Sequence, residues 1–157
     1  FLDEEGNENG GFIQKGSMSA DGKISAGLSL TFDRYRQDQA MQIKHINDEK
    51  QGSSSLTFND VPHYSLTPID EYHTLYKQAN ALPESERMAF WNKLAEEGKL
   101  SQPRIKLGTT PRKDSILLLN DAKGRARMRL MVSASGNAAI EMLDETGKVV
   151  KTIGPDK

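Results

Sequence analysis

A turn that keeps returning restricts what this chain can fold into. Leu2-Asp3-Glu4-Glu5-Gly6, Leu119-Asn120-Asp121-Ala122-Lys123-Gly124 and Leu143-Asp144-Glu145-Thr146-Gly147 each close an apolar stretch with Asp-x-x-Gly. A second form, Ser19-Ala20-Asp21-Gly22-Lys23, returns as Ser133-Ala134-Ser135-Gly136-Asn137. Asp and Ser side chains bond the backbone just ahead of them, and glycine supplies the left-handed residue that a tight turn needs. Both ends of the chain read in one order: Asp-x-x-Gly, strand, Ser-Ala-x-Gly, strand, with the last strand ending at Asp33 or Asp144. That order predicts two related sets of β-hairpins and points to an ancient duplication.

The segments between the turns carry the period of strands. Leu28, Leu30 and Phe32 alternate within Ile24–Phe32, and Met41, Ile43 and His45 alternate within Ala40–Ile46. A polar turn over Asn47–Ser53 then leads to Ser55-Leu56-Thr57-Phe58-Asn59-Asp60, a third copy of strand-then-Asp. After Ser115 the pattern resumes. A five-residue loop centred on Ser135 sets Val132 opposite Ala138, Leu130 opposite Ile140 and Met128 opposite Met142. A type I turn with a glycine bulge at Gly147 would set Met142 opposite Val150.

Residues 67–98 change period. Thr67 is a good N-cap with Pro68 and Asp70 behind it, and Ile69, Tyr72, Leu75, Tyr76 and Ala79 share a helical stripe. Pro83, Glu84 and Glu86 open a second helix that carries Met88, Trp91, Leu94 and Ala95, and Gly98 suits its C′ position. Phe90 and Trp91 are adjacent and cannot share one narrow stripe. Residues 99–113 contain Pro103, Gly108 and Pro111 and read as an irregular connector with a short strand at Arg104–Leu107. The expected fold is therefore one mainly β domain over 1–157, a sandwich or open barrel of antiparallel hairpins. It comprises a β zone at 1–66, a helical hairpin at 67–98 and a related β zone at 99–157.

Composition narrows the function classes. Hydrophobic residues make up 36% and aromatics 6%, which implies a thin core under broad polar faces. A net charge of −1 argues against a general nucleic-acid or membrane-surface binder. Zero cysteines remove disulfides, thiolate metal sites and cysteine catalysis. No apolar run reaches the roughly 18 residues of a membrane span. The chain opens on Phe1-Leu2 in apparent mid-strand, so a membrane connection is expected only through a missing N-terminal segment.

Several clusters could carry chemistry. Asp3–Gly10 is acidic, but an EF-hand frame started at Glu5 puts Gly16 where a bidentate Glu belongs, so turn chemistry is the better reading. Arg125, Arg127 and Arg129 alternate as a basic ladder, and residues 101–131 hold eight Lys or Arg against two Asp. The ladder reads as an anion or glycan surface, or as a solvated face with Arg129 paired to Glu141. His45, His63 and His73 are too scattered for a zinc spacing. Asp33, Asp60 and Asp144 end similar strands and could converge as paired carboxylates. Asp33, Tyr35 and Arg36 belong to the densest polar cluster and form the first candidate binding surface. No nucleophile elbow, P-loop or dinucleotide fingerprint occurs, and no cofactor is implied.

Arg104-Ile105-Lys106-Leu107-Gly108, Ser115–Leu130 with its Asn120-Asp121-Ala122-Lys123-Gly124 turn, and Leu143–Val149 together resemble an uncharacterised family of bacterial proteins. Those proteins typically carry an N-terminal membrane anchor or signal. The likeness extends to Asp3–Gly11 and Gly27–Gln39, and so spans most of the chain. It implies a bacterial, envelope-facing setting and supplies no activity. The resulting expectation is a non-enzymatic binding or structural module that uses exposed sheet faces. Its partners would be a protein, a glycan or further copies of itself, and not nucleic acid. The competing expectation is a hydrolase using Asp33 and Asp60.

Overall fold

The computed structural model describes residues 1–63 and 69–155. Its strands are β1 (Phe12–Met18), β2 (Ile24–Asp33), β3 (Gln39–Asp48), β4 (Gly52–Asp60), β5 (Gln102–Thr109), β6 (Ser115–Asn120), β7 (Ala126–Val132), β8 (Ala138–Leu143) and β9 (Val149–Ile153). Two helices, α1 (Ile69–Ala81) and α2 (Glu84–Glu96), stand between β4 and β5. All nine strands join one open antiparallel sheet in the order of the sequence, β1 to β9. The fold is mainly β, as expected. Of the expected forms, a sandwich or an open barrel, the described residues show a single open sheet to which both β zones contribute.

The turns explain this topology. Seven of them close with one pair of backbone bonds: the first residue's N–H donates to the carbonyl four residues on, and the fourth residue's N–H donates back to the first carbonyl. Their first residues are Asp3, Ser19, Arg34, Thr110, Asp121, Ser133 and Asp144. Asp144 Oδ1 accepts the N–H groups of Thr146 (2.8 Å) and Lys148 (3.1 Å), and Asp121 Oδ1 accepts those of Lys123 (2.9 Å) and Arg125 (3.1 Å). Ser19, Thr110 and Ser133 have only a hydroxyl, which takes the N–H four residues on at 3.1 Å. The two sequence forms therefore mark opposite ends of the sheet. Asp turns join β6–β7 and β8–β9, while Ser/Thr turns join β1–β2, β5–β6 and β7–β8. Thr110-Pro111-Arg112-Lys113 escapes a sequence search because Lys113, at φ 68°, stands in glycine's left-handed place.

Register agrees with expectation at β7–β8, where Val132 faces Ala138, Leu130 faces Ile140 and Met128 faces Met142. It departs at β8–β9. Gly147 makes the expected turn, but Val150 bulges out and Met142 faces Lys151 instead. The same slip skips Ala40 in β3, Arg104 in β5 and Arg127 in β7. These bulges form a line across one end of the sheet, each just beyond the row that runs from Phe32 and Met41 to Met142 and Lys151. β5 is also longer than the expected Arg104–Leu107. Pro103, which has no N–H for the ladder, is tolerated in this central strand because it sits at the irregularity opposite Asn59. The polar turn before β4 is shorter than expected, since Gly52 already pairs with Asn47.

The helical hairpin is confirmed. Gly98 ends α2 as the C′ residue of a Schellman motif, with Lys99 N–H on Leu94 O and Gly98 N–H on Ala95 O, both at 3.0 Å. Leu75, Ala79 and Leu94 are buried, and Tyr76 meets Trp91 with ring centroids 5.1 Å apart. Met88 departs from its expected stripe and is 73% exposed. The expected caps Thr67 and Pro68 lie outside the described residues.

Candidate functional site

The bulged end of the sheet gathers most of the charged candidates, although not into one site. Asp33 ends β2, and Tyr35 and Arg36 sit in the β2–β3 turn. There Arg36 adopts the left-handed conformation (φ 52°) with its guanidinium 5.3 Å from the Tyr35 ring centre. Both side chains turn onto the N-terminal hairpin. Glu5 Oε2 accepts Tyr35 OH at 3.1 Å, Arg36 Nε at 3.1 Å and Arg36 Nη2 at 2.7 Å. The Arg36 hydrogen bond, then that of Tyr35, holds the Glu5 carboxyl below its usual range. The acidic segment Asp3–Gly10 is thus a turn docked on a turn, with Asp3 Oδ1 accepting Glu5 N–H (2.9 Å) and Asn7 N–H (2.8 Å).

Asp33 is not the counterpart of Asp144 that the sequence order suggests. Arg34 holds the turn's first position, and Asp33 remains in the strand, half-buried. Its Oδ1 is enclosed without a hydrogen-bond partner among the described residues. Burial, reinforced by the charges of Glu8 and Asp38, pushes its carboxyl up to about 6. Asp60 lies two strands away, where Arg104 Nη1 approaches its Oδ2 at 3.3 Å. Strand alternation from Phe32 and Phe58, which share a face, sends Asp33 and Asp60 to opposite faces of the sheet. The two carboxylates do not converge.

The basic ladder also comes apart. Arg127 is the bulged residue of β7, so Arg125, Arg127 and Arg129 do not line one face. Arg125 Nε bonds Asp121 Oδ2 at 2.8 Å and Arg125 Nη1 bonds Glu145 Oε2 at 3.2 Å. Arg129 Nε donates to Glu141 Oε2 at 2.8 Å, its directly opposite neighbour, which is the pairing the sequence suggested. Arg127 makes no hydrogen bond or ion pair among the described residues. Four strand spacings, about 19 Å, separate the β2–β3 turn from the β6–β7 turn. Tyr35 and Arg36 therefore cannot share a small ligand with Arg125.

His45 Nδ1 lies 2.8 Å from Ser54 Oγ across β3–β4, and the His63 and His73 side chains are exposed on other segments. No three His, Cys, Asp or Glu side chains group for a metal among the described residues. No helix among them is long and apolar enough to cross a membrane.

The feature least visible in the sequence lies on the sheet itself. Directly opposed residues run across all nine strands as Phe12, Leu30, Ile43, Leu56, Leu107, Leu117, Leu130, Ile140 and Ile153. The next row on that face is Phe32, Met41, Phe58, Ile105, Leu119, Met128 and Met142, and it ends in Lys151. Among the described residues, neither helix packs across these rows. In the central strand β5 the alternation is inverted for a chain alone in water: Ile105 and Leu107 are exposed while Arg104 and Lys106 are half-buried. Leu107, fifth of nine in its row, is 52% exposed. The alternating apolar residues predicted each short stretch of this face. Their alignment into one row depends on every register at once.

The sequence matches no protein-family model, and no curated protein shows significant similarity to it.

Proposed function

We propose that this chain is a non-enzymatic binding module whose working surface is the apolar sheet face, acting in the bacterial envelope on a protein partner. The observation that carries this reading is the uncovered row from Phe12 to Ile153. An antiparallel sheet normally packs its apolar face and wets the other, and contiguous apolar patches of this extent mark interaction sites. Only the likeness of Arg104–Gly108, Ser115–Leu130 and Leu143–Val149 to envelope-facing bacterial proteins supports the bacterial setting. A central row of Leu and Ile has no hydroxyl or amide for a glycan to bond, which favours a protein. The hydrolase reading draws no support from carboxylates that leave opposite faces.

Methionines provide the test. Met41, Met128 and Met142 lie in the apolar rows, whereas Met88 lies on α2 and is 73% exposed. Peroxide oxidation, read by mass spectrometry, would compare the dilute purified chain with the chain inside cells that make it. The expected result is several-fold protection of these three methionines in cells, with Met88 unchanged. Equal rates at all four would end this reading.

A further inference from the structure

We infer that the occupant of the apolar face is a second copy of this chain, laid face to face to complete a two-layer sandwich. The inference rests on the docking reading above and names its partner. The first argument is size. Eight strand spacings of about 4.8 Å make the face about 38 Å wide, and two rows about 7 Å apart, with side-chain breadth, make it about 17 Å tall. Two such faces bury at least about 1,300 Å², within the range of about 1,200–2,000 Å² for stable specific complexes.

The second argument is charge. The seventeen residues of the two rows include one charged side chain, Lys151, at the β9 edge. Such a face offers an unlike partner nothing to read by charge, and the surface it matches is another like itself. Isologous contact requires that self-matching. Charged pairs such as Arg129–Glu141 lie on the opposite face, which would stay in water.

The third argument excludes a smaller guest. A depression of about 600 Å³ lies over Phe12, Leu28, Leu30, Ile43, Leu56 and Leu107. An acyl chain filling it would leave Leu117, Leu130, Ile140 and Ile153 bare. A second sheet covers the whole row, at the roughly 10 Å spacing of packed sheets.

Sedimentation equilibrium of the purified full chain from about 1 to about 100 µM tests this directly. The expected mass at the upper end is twice the 17.4 kDa of one chain. Leu107→Asp enters a two-fold interface twice and should weaken association at least about 100-fold, with the strand signal in circular dichroism retained. If Leu107→Asp fails to fold, the unmodified chain still decides: Met41, Met128 and Met142 should gain protection as concentration rises. A chain that stays monomeric throughout, with face methionines protected in cells, overturns the second copy and leaves the docking reading standing. Face methionines unprotected in cells remove the docking reading, whatever the mass. A dimer unaffected by a folded Leu107→Asp also overturns the inference. So does protection that appears only on adding phosphatidylcholine–phosphatidylglycerol vesicles.

Discussion

Strands β1–β4 and strands β5–β9 share one meander and one turn grammar, yet they shield their side chains differently. β1 is exposed along its whole length, and β3 is exposed from Ile43 onward. β6, β7 and β8 are half-buried almost throughout. Both halves contribute to the apolar rows, and part of the difference arises on the other face. There the first half sets Ile13 and Ile46 among Lys15, Gly27, Ser29, Lys44 and Ser55, while the second sets Ile116, Leu118 and Met131 beside the Arg129–Glu141 pair. In a single layer, each side chain is shielded mainly by its neighbours in the sheet. Small or charged neighbours leave a strand bare.

The largest expected effect falls where the halves meet. A Cβ on Gly108 would lie 2.0 Å from the Ser54 carbonyl oxygen and 2.8 Å from Ser55 Cα, so β4 and β5 could not keep their spacing. Gly108→Ala should lower unfolding stability by on the order of 3 kcal/mol and speed amide exchange in β1–β4 while β6–β8 keep their protection. A loss below about 1 kcal/mol in denaturant titration would mean the seam is slack.

A matched pair tests the second face itself. Thr57 and Leu118 lie in one row on that face, with Lys106 between them. Leu118→Ala should cost about 2 kcal/mol and Thr57→Ala less than about 0.5 kcal/mol. Equal costs would erase the contrast between the halves.

Asp33 adds a pH dependence to the first half alone. Its folded carboxyl titrates near 6 against 3.8 for the free group, so the folded chain holds the proton more tightly. Its contribution to stability should therefore be greatest below about pH 4 and be lost as pH rises through 6, the direction opposite to that of a paired carboxylate. Asp33→Asn should stabilise the chain at pH 7 and abolish that slope. Solvent screening at this half-open site keeps the gain to about 1 kcal/mol. Thermal melts at pH 4 and pH 7 that shift in parallel for both forms would contradict it. The smallest effect belongs to the second half: Lys113→Gly should add about 0.5 kcal/mol by relieving its left-handed backbone. A melting temperature that falls would refute this.

How much of this was legible follows from where the information lies. Asp121, Asp144, Ser19 and Ser133 bond their own turns, so local sequence suffices for them, and Gly98 announces the end of α2 in the same way. The bulges at Ala40, Arg104, Arg127 and Val150 arise between strands, from how each turn joins its ladder, and nothing in those four residues marks them. That is why an alternating Arg125, Arg127 and Arg129 read as one face and was not. Alternation at Leu28, Leu30 and Phe32 likewise shows that a strand has an apolar side. It cannot show whether a second sheet covers that side, because cover is a property of the assembly. Glu5 was unreadable as the partner of Tyr35 and Arg36 for a related reason, since a loop about 30 residues away leaves no periodic trace.

The strict neighbour order of the sheet also bears on how the chain comes to be folded. Every strand pairs with the strand made just before it, apart from the one helical detour between β4 and β5. Long loop closures, the slow step for most β proteins, are almost absent. During synthesis each hairpin can settle onto the previous one while the rest of the chain is still on the ribosome. The growing end is then always a raw strand edge, and it is capped only when the next hairpin arrives.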